Sequence, residues 1–374
     1  MQTQVRDMLG CEFPIAAFSH CRDVVAAVSK AGGFGVLGVV GYTPEQLQIE
    51  LDWIEKEIGD HPYGVDILIP AKFVGSDEGG LDASGVAARI PDAHREFVNS
   101  LLAKNDVPPM PEEMSRRRVT TFQPEQQREL IEVAFGHRIR LVASALGPPP
   151  PWMIERGHEE GVLVAALAGK AEHAKRHVEA GADIVVAQGY EAGGHTGEIA
   201  TMVLIPEVVD AVAPVPVLAA GGIGNGRQIA AALSLGAQGV WTGSIWLTTE
   251  EAETHPVVKQ KFLSAGSSDT VRSRSRTGKP ARQLKSGWTE AWADPDNPDP
   301  LPMPLQLGLI QDAWRRIEHG AHKSAGAEHL INYFVGQIVG SMNEVRSVRS
   351  VVEEMVQEYV DTMERVDGWA HGED

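Results

Sequence analysis

The 374-residue chain carries only two cysteines, Cys11 and Cys21. That is too few for a disulfide framework, and no zinc-type ligand spacing surrounds them, so a reducing, cytoplasmic setting is expected. Nowhere do about eighteen apolar residues run uninterrupted, and the opening MQTQVRDMLG lacks a basic segment followed by an apolar core. Neither a membrane span nor a signal peptide is therefore expected. Positive charge is scarce as well: 33 Lys and Arg face 51 Asp and Glu, giving a net charge of −18. Such a surface repels phosphate backbones, which argues against a nucleic-acid partner. The local basic run of Arg272, Arg274 and Arg276 then reads as a solvated loop or as a site for a smaller anion. A third ligand is also missing beside His173 and His177, which share one helical face, so they read as exposed helix residues and no metal site is expected.

What is present is a globular composition, 43% hydrophobic and 22% charged, sufficient to bury a large core. Short apolar runs alternate with amphipathic stretches of helical period. This is the pattern of parallel strands buried on both faces and joined by crossover helices. Eight strands are predicted, at 13–17, 35–39, 63–68, 140–146, 162–167, 182–188, 215–220 and 238–242. Helical segments such as 22–31, 44–58, 170–180 and 226–235 lie between them, several ending at glycine. A right-handed series of eight such units closes into an α/β fold of the (β/α)8 TIM barrel type, with an open doubly wound sheet as the alternative.

The barrel is expected within 1–248 and to carry an insertion at 71–124, rich in Gly, Pro, Asp and Arg. This insertion leaves the C-terminal face after the third strand and suits a functional cover. A loop-rich extension, 249–327, and a C-terminal helical segment, 328–374, follow. Its amphipathic helix, over about 328–365 by period, is expected to pack on the barrel wall or on a second copy in a homo-oligomer.

Barrel active sites are built from loops at the C-terminal ends of the strands. The sixth strand runs into AQGYEAGGHTG (187–197), where Gly193 and Gly194 let the backbone approach a ligand and His195 supplies an imidazole suited to proton transfer near neutrality. An isolated histidine in a glycine-rich loop is more often a turn residue; the strand-end position favours a catalytic one. The seventh strand enters LAAGGIGNGRQIAAA (218–232), with Gly221 and Gly222 at the turn into a helix, a bare cradle of amide donors for phosphate. GVWTGSIWL (239–247) repeats the device after the eighth strand through Gly243, with Thr242 and Ser244 as hydroxyl donors. Either turn alone could be only a tight turn, whereas the pair matches the usual phosphate site of barrels. Trp241 and Trp246 read first as packing residues.

GADIVVAQGYEAGGHTG (181–197), VLAAGGI (217–223), GAQGVWTGSIWL (236–247) and SRTGKPAR (275–282) together resemble the nitronate monooxygenase family of FMN-dependent barrels. The resemblance implies FMN as cofactor, with Gly221, Gly222, Gly243 and Ser244 on its phosphate. It further implies Gln188, Gly193 and Gly194 at the flavin ring, Ala17 and Phe18 beside that ring, and His195 as base or nitronate-orienting group. The implied reaction consumes a small nitronate and oxygen and yields a carbonyl compound and nitrite. Three positions depart from the family pattern: Ala17-Phe18 stands in place of Pro-Met, Asp66 in place of a flavin-contacting Asn, and Ala166-Leu167 where some members place a Lys. The rival expectation is an enoyl-CoA or enoyl-ACP reductase using NAD(P)H and an acyl thioester. A non-flavin barrel resembling inosinate dehydrogenase or an aldolase is the alternative of a different class, and this chain shows neither the strand-end Cys suited to the first nor a strand-end Schiff-base Lys for the second.

Overall fold

Runs such as Phe34–Val39 (FGVLGV) are buried along their whole length, as strands covered on one face by the barrel interior and on the other by helices must be. In the computed structural model, which describes residues 1–111 and 124–372, eight of these strands close a parallel barrel. They are β1 (Ile15–Ser19), β2 (Phe34–Val39), β3 (Tyr63–Leu68), β4 (Leu141–Ala145), β5 (Leu163–Ala168), β6 (Ile184–Gln188), β8 (Val217–Ala220) and β9 (Gly239–Thr242). β9 closes on β1 with Ile15 opposite Val240 and Ala17 opposite Thr242. Between β6 and β8 lies β7 (Gly194–His195), which leaves the barrel to join β10 (Thr270–Ser273) and β11 (Ala281–Leu284) in a small sheet of order β10-β11-β7.

The predicted strands all exist, four of them shortened by a residue or two. The first is displaced to Ile15–Ser19, which brings Phe18 to the open end of the barrel and leaves Ala17 facing the outer core among Val24, Val28 and Val240.

The insertion is more than loop. It forms the helices Ala83–Ala88 and Asp92–Lys104, which dock on the helix Leu305–Gly320 of the extension. Phe97 meets Trp292 edge to face at 4.8 Å, and Arg316 donates to the carbonyls of Val107 and Pro108 at 2.8 and 3.1 Å. Of its described residues, only Ala71 and Lys72 line the central cavity. Insertion and extension thus brace each other at the side of the barrel mouth.

The predicted terminal helix over 328–365 divides. A short helix, Ala325–Leu330, ends before an irregular stretch, and the long helix Val348–His371 begins only after it. The reason lies in hydrogen bonding that a continuous helix would have to surrender. Asn332 Nδ2 is spent on Gln283 Oε1, Leu284 O and Ser286 Oγ, Gly336 N–H donates to Ser244 Oγ at 2.8 Å, and Gln337 N–H donates to Glu191 O at 2.9 Å. The long helix lies across the helix Gly226–Ser234.

Candidate active site

The C-terminal ends of the barrel strands open into a cavity of 1560 Å³. Its wall includes Phe18, Asp66, Gln188, Gly193, Gly194, His195, Gly221, Gly222, Thr242, Gly243 and Ser244, so all the site residues expected from sequence except Ala17 meet at one place. Tyr333 and Phe334 of the irregular C-terminal stretch complete it.

His195 is held by elements far apart in sequence. Gly194, at φ +74°, turns the loop, and β7 then pairs antiparallel to β11 with His195 opposite Ala281. The imidazole Nε2 lies 2.8 Å from Thr277 Oγ1. That hydroxyl donates its single proton to Lys279 O at 3.2 Å and accepts from Lys279 N–H at 3.3 Å. The imidazole, at the shorter distance, competes for that same proton, so Thr277 fixes the position of the ring whichever nitrogen carries its proton. Burial, with a smaller contribution from the Lys279 ammonium, lowers the imidazole pKa to about 4. His195 is therefore neutral at ordinary pH, as a proton acceptor must be.

The loop carrying it is braced from below. The Arg282 guanidinium, buried at 2% exposure, donates through Nε and Nη2 to Tyr190 O at 3.0 and 2.9 Å. Glu191 accepts from the amide and hydroxyl of Thr201 at 2.9 and 2.7 Å.

Across the mouth, the two glycine turns come together after β8 and β9. Gly221 and Gly222 have φ of +102° and +70°, conformations that L side chains avoid. Among the described residues, the amides of Gly222, Ile223, Gly243 and Ser244 make no hydrogen bond, and all four residues face the cavity. Unpaired amides converging on one spot suit an anion.

The helix that follows contributes less than expected. Gly226 N–H donates to Glu358 Oε2 at 2.8 Å and Gly224 N–H to Gln228 Oε1 at 2.8 Å, so the anion position is defined by the turns and not by the helix terminus. Thr242 is likewise committed, since its hydroxyl donates to Ala16 O at 3.0 Å and accepts from Trp246 Nε1 at 3.0 Å. It supports the cradle without donating to it. Ser244 accepts from Gly336 and keeps its proton free to donate. Trp241 and Trp246 are both buried and both line the cavity, Trp241 stacking on Phe18 at 6.5 Å.

Two expectations need correction. His177 is not an exposed helix residue but 4% exposed, donating through Nε2 to Leu167 O at 3.0 Å. The helix Ala171–Ala180 turns this residue toward β5, where a polar ring needs a carbonyl partner. The arginine run is not one basic patch either. Only Arg272 lines the cavity; Arg274 bonds Gly278 O and Pro300 O, and Arg276 lies 3.4 Å over the Trp314 ring. One cluster of ligand-type atoms occurs among the described residues, Cys21, Asp23 and Glu253. Its thiol points to Glu251 O, and burial raises its pKa, so it stays protonated.

Thr277, Tyr333, Phe334 and Arg282 went unrecognised as site residues in the sequence. SRTGKPAR carried the only signal for Thr277 and Arg282, and nothing local marks 332–336.

A closed (β/α)8 barrel with unpaired amides after its last two strands and a neutral imidazole over its mouth defines the class as a barrel enzyme. The chain matches the nitronate monooxygenase family over residues 13–358 and belongs to that family; it is an oxidoreductase. A Mycobacterium tuberculosis protein with the provisional name of a monooxygenase is 60% identical, covering 98% of this chain and 99% of its own length. A Staphylococcus saprophyticus protein with the provisional name of a nitronate monooxygenase is 28% identical over 95% of this chain and 98% of its own. Among solved structures, FabK from Thermotoga maritima superposes with a TM-score of 0.74 at 26% identity, covering 99% of each chain. The nitroalkane oxidase of Streptomyces ansochromogenes gives a TM-score of 0.79 at 24% identity over 97% of this chain and 99% of its own, a likeness of fold. No helix among the described residues is long and apolar enough to cross a membrane.

Proposed function

We propose that the chain binds FMN and oxidises alkyl nitronates with oxygen to a carbonyl compound and nitrite. The observation that carries this reading is the pairing, across one cavity, of four unspent amides with a buried, neutral imidazole. The site also fits the cofactor at its other end. The strand order sets β3 four places from β8, on the far side of the barrel from the cradle, and there Asp66 lines the cavity with a carboxyl whose buried Oδ2 has no partner, a group that a bound ring would lie against.

The amides of Gly222, Ile223, Gly243 and Ser244 would hold the phosphate, with Gln188 and the Gly193–Gly194 backbone beside the ring and Phe18 at its edge. When bound, FMN supplies the electron acceptor and the centre that reacts with oxygen. The unprotonated ring nitrogen of His195 takes the proton from the carbon acid or orients the nitronate, while Thr277 holds the ring in place. Tyr333 and Phe334 close the wall and limit water beside the imidazole.

Because His195 must be neutral to act, its depressed pKa fixes the acid limb of the pH profile. Activity is expected to persist as pH falls through the ordinary histidine value of about 6.5 and to decline only toward about 4. A kcat/KM profile with its acid limb near the ordinary value would place the imidazole in a wetter setting.

A second reading is kept by one observation. At 1560 Å³ the cavity exceeds the roughly 300–1,000 Å³ of most small-molecule sites, which leaves room for an enoyl thioester reduced at the expense of NAD(P)H. Anaerobic mixing separates the two. Loss of flavin absorbance with a nitronate alone supports the monooxygenase, rapid loss with NADH or NADPH supports the reductase, and protein showing no flavin bands after addition of FMN overturns both.

A further inference from the structure

The cavity holds one carboxyl that nothing in the protein satisfies. Asp66 sits in the inward-facing set of β3, while its neighbours Val65 and Ile67 pack outward against the helices. It is 4% exposed, and Oδ2 is sealed without a hydrogen-bond partner. Among the described residues no ion pair reaches it. The strands on either side bring no titratable group: β2 reads FGVLGV and β4 reads LVASA, with Gly38 and Ala143 directly opposite Asp66.

Titratable groups on other elements line the same cavity without a hydrogen bond or ion pair to Asp66. His20, beyond the end of β1, has Nδ1 2.8 Å from Gly38 O. Lys72 lies on the loop after β3, and His195 rises from β7. None of them moves the Asp66 titration, which burial alone pushes up to about 7.

A carboxylate enclosed without a cation or donor is strongly disfavoured, whereas the neutral acid costs far less and carries an O–H donor. An isoalloxazine ring presents carbonyl acceptors and, once seated, removes the water that remains. We propose that Asp66 meets the bound cofactor as a neutral carboxylic acid donating a hydrogen bond to the ring, so that FMN binding carries a proton with it. This rests on the FMN reading above. The proton comes from solvent when the deprotonated site is loaded and returns to solvent on release; no electron moves.

By linkage, the carboxyl has the higher pKa in the loaded state. FMN affinity is then constant at low pH and falls as pH rises through the titration of the empty site. The test uses full-length holoenzyme diluted into buffers from about pH 6 to 9, with released FMN read by its fluorescence, beside Asp66→Asn, whose amide keeps a donor at every pH. The wild-type dissociation constant is expected to rise about tenfold or more across that range relative to the variant, whose profile cancels the titrations of the FMN phosphate and of the histidines.

Calorimetry at about pH 8 in two buffers of different ionisation enthalpy supplies a second readout that does not need the variant to fold. Wild type should take up close to one proton for each FMN bound. A flat wild-type profile, an affinity that rises with pH, or no proton uptake overturns the proposal while leaving FMN binding intact. Absence of FMN binding at any pH overturns the underlying reading as well.

Discussion

Replacing His195 by asparagine is expected to slow turnover by roughly a hundredfold or more, the usual scale for a lost general base, with FMN still bound. The two effects separate because the residues that carry them do. The cradle amides of Gly222, Ile223, Gly243 and Ser244 follow β8 and β9, whereas the imidazole stands on β7, rooted in β11 through the pair His195–Ala281. Asparagine retains a polar group near Thr277 but has no titratable nitrogen, so the loss should appear in kcat. Flavin content, read by absorbance of the purified variant, should match wild type. Unchanged turnover would remove His195 from the mechanism, and loss of flavin would show that the ring serves binding instead.

The second large effect is on stability. Gly226 opens the helix beyond the cradle, and a Cβ there would lie 2.2 Å from Tyr359 N and 2.4 Å from Met355 O, both backbone atoms of the helix Val348–His371. Intrinsic propensity favours alanine over glycine by up to ~1 kcal/mol in a helix. The overlap works against it and cannot be relieved by rotating a side chain, and overpacking of this kind costs about 1–3 kcal/mol. Gly226→Ala should therefore destabilise the protein by about 2 kcal/mol, seen as a lower melting temperature, because it also disturbs the bond from Gly226 N–H to Glu358 of the terminal helix. A melting temperature at or above wild type would mean that the long helix is not seated against Gly226.

The parts of this molecule legible in its sequence are those whose cause is local. Barrel strands such as Phe34–Val39 are continuous apolar runs because both faces are covered, and the Gly221–Gly222 turn needs backbone angles that few other residues tolerate. His195 stood out for the same reason, two residues from Gly193.

Other features depend on partners brought from far along the chain. Thr277 meets His195 across 82 positions, and the interruption between Leu330 and Val348 exists because Asn332 and Gly336 find partners on β11 and beside the cradle. Helical periodicity across 328–365 gave no warning of that. The buried state of His177 was hidden likewise, since spacing places it on a helix face without saying which way that face turns.

His195 belongs to the barrel by sequence and to the extension by support. Its strand is the edge of a sheet whose other two members, β10 and β11, come from residues 270–284, and the wall facing it comes from Tyr333 and Phe334. Changes in the extension alone can therefore alter the setting of His195 while every barrel loop stays as it is. A chimera that exchanged only the barrel, residues 1–248, would carry the imidazole into a foreign setting. The exchangeable unit for altering specificity is the extension together with the His195 loop, because evolution or design must move them as a pair.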